Sequence, residues 1–115
     1  MAETYKLEIE QRSTFTQTVE YLDSQNQPVD LTGYSAAMQI RRTVESADAL
    51  LSLTDDSGGG LIITPLLGRI EINIDAADTS SLPAGSFVYD LIISSASVSD
   101  RILQGRCIVS PAVTR

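Results

Sequence analysis

The stretch Pro28-Val29-Asp30-Leu31-Thr32-Gly33-Tyr34-Ser35-Ala36-Ala37-Met38-Gln39-Ile40-Arg41-Arg42 joins a turn to an alternating run. Pro28 has no N–H to give to a sheet ladder and Gly33 is free to take positive φ, so neither suits a strand interior. From Ser35 onward Ala36, Met38 and Ile40 fall on one side, and Ala37, Gln39 and Arg41 on the other. A period of two is the pattern of a half-buried β-strand and predicts one over Ser35–Arg42. Asp30, Thr32 and Gly33 read as residues that set the turn rather than as ligand contacts.

The same period recurs on both sides of this stretch. Tyr5, Leu7 and Ile9 alternate with Lys6, Glu8 and Glu10, and Phe15, Gln17, Val19 and Tyr21 alternate with Thr14, Thr16, Thr18 and Glu20. The polar run Asp23–Pro28 is a loop built from turn-forming residues. Downstream, Thr43–Ala49 reads as a loop, Leu50–Thr54 and Leu61–Thr64 as short strands, and Asp55–Gly60 as a flexible connection between them. Ile70, Ile72 and Ile74 give a clean strand face. Asp75 is a good N-cap for a short helical turn near 75–81, with Asp78 three residues on, as in a capping box. Phe87, Tyr89, Leu91 and Ile93 share a face of the next strand, and Leu103, Gly105, Cys107 and Val109 share one of the last, with a hairpin around Ser94–Ser99 between them.

Seven to nine short strands with turn signals every 8–12 residues or so predict an all-β fold, an antiparallel β-sandwich, as a single domain over 1–115. With 115 residues and 43% hydrophobic composition, the chain can bury a core without disulfides or metals.

Composition narrows the function classes. The formal net charge is −7, with fifteen carboxylates against eight basic residues. A nucleic-acid binder neutralises phosphates with a basic face. Along this chain Arg41-Arg42 is the only basic doublet, so neither a nucleic-acid partner nor an anionic membrane is expected. The one cysteine, Cys107, lies in an alternating run and reads as a small buried hydrophobe; with no histidine in the chain, nothing pairs with it as a nucleophile. Met1–Lys6 lacks the charged and apolar regions of a signal peptide, which leads us to expect synthesis in a cytoplasm. The apolar runs are too short to span a membrane as a helix.

Three clusters invite a site reading, and each has a plainer one. Asp55-Asp56-Ser57-Gly58 lacks the later oxygens a calcium loop supplies and reads as a hydrated loop tip. Asp75 and Asp78 resemble an acid–base pair, yet capping explains both. Gly58-Gly59-Gly60 lacks the following lysine and helix of a phosphate cradle. No catalytic residue, metal site or cofactor is expected, and the chain is not read as an enzyme. Val88 and Ile92 resist a bland reading, because they lie opposite an already apolar face. Ile102 and Ile108 fall with Gln104 and Arg106 on the corresponding face of the last strand. Either the 43–54 segment or another loop folds over these four, or they form a subunit or partner interface.

The run Val29-Asp30-Leu31-Thr32-Gly33-Tyr34 followed by Met38-Gln39-Ile40-Arg41 resembles small immunoglobulin-like virion proteins of tailed bacteriophages and prophages. Ile74–Thr79, Leu82-Pro83-Ala84-Gly85, Tyr89-Asp90-Leu91, Leu103-Gln104-Gly105 and Val109-Ser110-Pro111 through Arg115 continue the resemblance. It implies an immunoglobulin-like sandwich and a structural role in the particle, at the tail, baseplate or fibre-attachment region, made in the host cytoplasm and located in the virion. The implied partners are other virion proteins and further copies of the chain, engaged by multivalent docking. Capsid decoration is the alternative within that class. A carbohydrate-binding sandwich is the alternative outside it, disfavoured by the absence of Trp and by only six aromatic residues, mostly on expected core faces.

Overall fold

The computed structural model describes residues 3–113. Among the described residues there are nine strands: β1 (Glu3–Thr4), β2 (Leu7–Glu10), β3 (Phe15–Glu20), β4 (Ser35–Arg41), β5 (Leu51–Thr54), β6 (Leu61–Thr64), β7 (Arg69–Ile74), β8 (Gly85–Ser94) and β9 (Ser99–Ser110). A 3-10 turn, Pro65–Leu67, precedes β7, and one short helix, α1 (Ala76–Ser81), follows it. The longer sheet runs β1-β9-β8-β4-β5, with β2 also on β9; the second runs β3-β7-β6. This is a small all-β sandwich. In the longer sheet β8 lies between β4 and β9, and in the second β7 lies between β3 and β6.

One feature departs from the antiparallel expectation. β1 and β2 both pair with β9 in parallel, Glu3 opposite Leu103 and Leu7 opposite Cys107. Strands that begin and end a chain can pair this way because the rest of the sandwich is the crossover between them. The expected single first strand is also divided. Leu7 and Ile9 are buried, but Tyr5 is 47% exposed, and its backbone lies against Gly105. The Tyr5 N–H donates to the Gln104 carbonyl (2.8 Å), and the Tyr89 hydroxyl donates to the Tyr5 carbonyl. A Cβ on Gly105 would sit 2.6 Å from the Tyr5 oxygen, at φ +147°. Only glycine lets the edge segment approach this closely.

The core lies between the sheets. β7 contributes Ile70, Ile72 and Ile74, all fully buried; facing sheet residues include Met38, Ile40, Leu91 and Ile93, at most 1% exposed. Fully burying a side chain of this size contributes about 1.5–3 kcal/mol, so the isoleucine face of β7 is a principal source of stability. Polar contacts close the ends. Asp75 caps α1 by accepting from the Asp78 N–H (2.9 Å), so Asp78 completes the cap with its backbone. The buried Thr79 hydroxyl donates to the Ser13 carbonyl (2.9 Å). Gln11 donates to the Leu82 carbonyl (2.8 Å) and accepts from the Ala112 N–H (3.1 Å), joining α1 to the segment after β9. At the turn before β4, Asp30 Oδ1 accepts from the Thr32 N–H (2.9 Å) and hydroxyl (2.6 Å), and Gly33 has φ +84°. These hydrogen bonds hold the Asp30 carboxyl below its ordinary pKa.

Gly105→Ala is expected to cost about 1–3 kcal/mol through strain and the clash with Tyr5. In hydrogen exchange the Tyr5 and Leu7 amides should lose protection before those of β7. Equal loss across both sheets would show that the edge segment is not held at this point.

Candidate functional site

The outward faces of β4, β8 and β9, with the β1–β2 segment at their edge, form a groove of about 670 Å³. Each wall comes from the non-core positions of a strand, so the alternation that built the core also built this surface. Register places the side chains in rows. Val88 pairs with Arg41 on one side and Arg106 on the other. The in-register pairing of Thr4 with Gln104 and Leu7 with Cys107 puts Lys6 beside Arg106. A second row carries Gln39, Asp90 and Gln104; a third carries Ile92 and Arg101. Val44, 79% exposed, reaches the groove from the loop after β4.

The electrostatics of this face oppose those of the chain. Four of the eight basic residues, Lys6, Arg41, Arg101 and Arg106, line the groove with one of the fifteen carboxylates, Asp90. Asp90 lies 3.5 Å from Arg101, and Lys6 lies 3.2 Å from Glu8 at the outer edge. Both pairs are solvent-exposed and contribute little to stability. Arg41 donates to the Ser46 carbonyl (2.7 Å) and to Gln39 Oε1 (2.7 Å); Arg106 donates to the Ser86 hydroxyl (3.0 Å). Neither guanidinium has an acidic partner among the described residues. Lys6 and Arg106 are like charges at neighbouring positions and repel.

The four expected interface residues separate. Val88 and Ile92 are half-buried and form the apolar floor of the groove. Ile108 is half-buried on the same sheet, opposite Ser86 and Glu8, outside the groove lining. Ile102 is a correction: it is 7% exposed and belongs to the core. The cause is a β-bulge. Leu91 pairs with Leu103 and Ile92 with Arg101, so Ile102 is the extra residue. A bulge places two residues opposite one and re-aims a side chain; here Ile102 and Leu103 both point inward. The 43–54 segment does not close over Val88 and Ile92: its loop touches the rim through Val44, and β5 joins the sheet edge.

Strict alternation missed the four cations because Lys6, Arg41, Arg101 and Arg106 are scattered along the chain. The available signal was that each takes an outward position on a strand, or adjoins one, around Val88 and Ile92. The absence of a basic cluster along the sequence therefore does not carry over to the surface.

The acidic clusters also meet. Asp55, Asp56, Asp75 and Asp78 line one depression of about 650 Å³. Asp55 Oδ1 accepts from the Ala36 N–H (3.0 Å) and Asp75 is occupied as an N-cap. Among the described residues no group of three acids, histidines or cysteines is placed to hold a metal ion. Cys107 is fully buried on the core face, and burial pushes its thiol up to about 11. Burial, then the neighbouring Cys107 and Tyr5, raises the Tyr89 phenol as well.

Two outcomes follow from these placements. Ile102→Ala is expected to destabilise by about 2–5 kcal/mol, and Val88→Ser by less than about 1.5 kcal/mol, in denaturant unfolding. A reversed order would put Ile102 outside the core. Because folding favours the neutral Cys107 thiol, its contribution is fully present below the ordinary value of 9.0 and is lost as pH rises toward about 11; the raised Tyr89 phenol extends the loss upward from its ordinary 10.0. Native Cys107 should resist a thiol-modifying reagent at neutral pH and react once the chain is unfolded; rapid modification of the folded chain would contradict this placement.

Comparison of the chain with models of known protein families found no match, and comparison with curated proteins likewise found none.

Proposed function

We propose that the chain is a structural component of a tailed-phage virion, acting at the tail, baseplate or fibre-attachment region by repeated protein–protein docking. The observation that carries this reading is the groove: an apolar floor of Val88 and Ile92 walled by Lys6, Arg41, Arg101 and Arg106 on an otherwise acidic sandwich. Apolar side chains with charges at their rim suit a protein contact, the floor giving contact area and the charges fixing orientation. In a symmetric particle many such modest contacts act together, and their summed affinity exceeds that of any one. The sequence resemblance to immunoglobulin-like phage proteins supplies the setting, and the strand orders β3-β7-β6 and β4-β8-β9 are compatible with the B-E-D and C-F-G strands of such sandwiches.

The chain then works as a binding module, with no reaction of its own and with other virion proteins and further copies as its partners. Mass spectrometry of purified particles from the phage or prophage encoding it tests this directly. The chain should be present in a fixed ratio to the tail proteins and should remain through density-gradient purification. Its absence from such particles would overturn the proposal.

A further inference from the structure

We infer that the basic groove on the long sheet is the receiving half of a head-to-tail contact, and that its occupant is the acidic surface of a second copy of this chain. The inference takes its biological setting from the virion reading but rests on charge placement. Outside the groove the sequence carries fourteen carboxylates against four basic residues. Of those four, Arg69 pairs with Glu20 (3.5 Å) and Arg42 lies over the Phe87 ring (5.9 Å from its centroid). The rest of each copy therefore carries a net charge opposite in sign to the groove of another. The Lys6–Arg106–Val88–Arg41 row carries three cations, two of them flanking Val88, and among the described residues the two guanidiniums have no acidic partner. An acidic segment laid across this row would relieve that repulsion, while Val88, Ile92 and Val44 supply apolar contact.

The same charges decide the symmetry. A two-fold contact of groove against groove would set four cations against four, an arrangement that costs several kcal/mol. A contact of groove against acidic surface uses two different patches, so it is heterologous and generates rings or filaments. Its strength falls as salt rises, because the groove is open to solvent and its attraction for carboxylates is screened.

The test is analytical ultracentrifugation of the full chain at about 0.1 M and about 1 M salt, where charges act over about 10 Å and about 3 Å. Wild type should associate reversibly at the lower salt and dissociate at the higher. Arg41→Glu/Arg106→Glu should weaken association by about 100-fold or more. Lys6→Glu/Arg106→Glu, which leaves the Arg41–Ser46 contact in place, should do the same; both variants are checked for unchanged thermal unfolding. A groove variant keeps its acidic surface, so a minor fraction mixed with wild type should dock onto wild-type grooves and shorten the assemblies. No association up to about millimolar concentration, association unaffected by folded groove variants, or variants that are not taken into wild-type assemblies would each overturn the inference. So would capture of an acidic glycan or an unrelated acidic protein by a chain that stays monomeric. A chain that self-associates through the groove but is missing from particles overturns the virion reading alone. One present in particles but monomeric with folded grooves overturns this inference alone.

Discussion

The pairing of β8 with β9 determines what each side of the long sheet can do. From Gly85–Val109 to Leu91–Leu103 the two strands keep one register, and core residues face core residues. One extra residue, Ile102, then interrupts the ladder before Ile92 pairs with Arg101. Without that bulge, strict alternation would carry Ile102 to the outer face and turn Arg101 toward the core, since a one-residue slip exchanges the two faces of a strand. With it, Ile102 joins the core and Arg101 stands beside Asp90 on the groove. A local irregularity thus places both a core side chain and a charged wall.

The outer edge of the groove depends on a second constraint at the opposite border of β9. Gly105 allows the Tyr5 backbone to approach, and the Tyr89 hydroxyl reaches across to the Tyr5 carbonyl. This holds β1 and β2 in parallel on β9 and brings Lys6 beside Arg106. Ionising Tyr89 would remove the donor and add charge in a buried position, so the alkaline limit of stability and the edge of the groove share a cause. The chain's charge distribution rests on backbone placement at a few positions rather than on any run of basic residues.

Much of the sandwich was legible in the sequence because its strands are half-buried. β4, β7 and β8 alternate cleanly; Asp30, Thr32 and Gly33 take their expected turn roles, and Asp75 caps α1 as anticipated. What the sequence hid was relational. The parallel pairing of the first strands, the burial of Ile102 and the exposure of Tyr5 depend on β9 and its bulge, which no local period encodes. Val88 and Ile92 were visible as a second apolar face, because their neighbours had already filled the core face. The basic walls were not, since their residues are brought together only by strand order. The Asp55–Asp56 and Asp75–Asp78 clusters converge for the same reason.

The central claim is that the outward face of β4, β8 and β9 is a docking surface. On the proposed virion reading, a cryo-EM map of the intact particle at side-chain detail measures this directly. The account predicts that Val88 and Ile92 are covered and that Arg41 and Arg106 meet carboxylates of a neighbouring subunit. A map in which this face is open to solvent, with the chain held only through other surfaces, would contradict it.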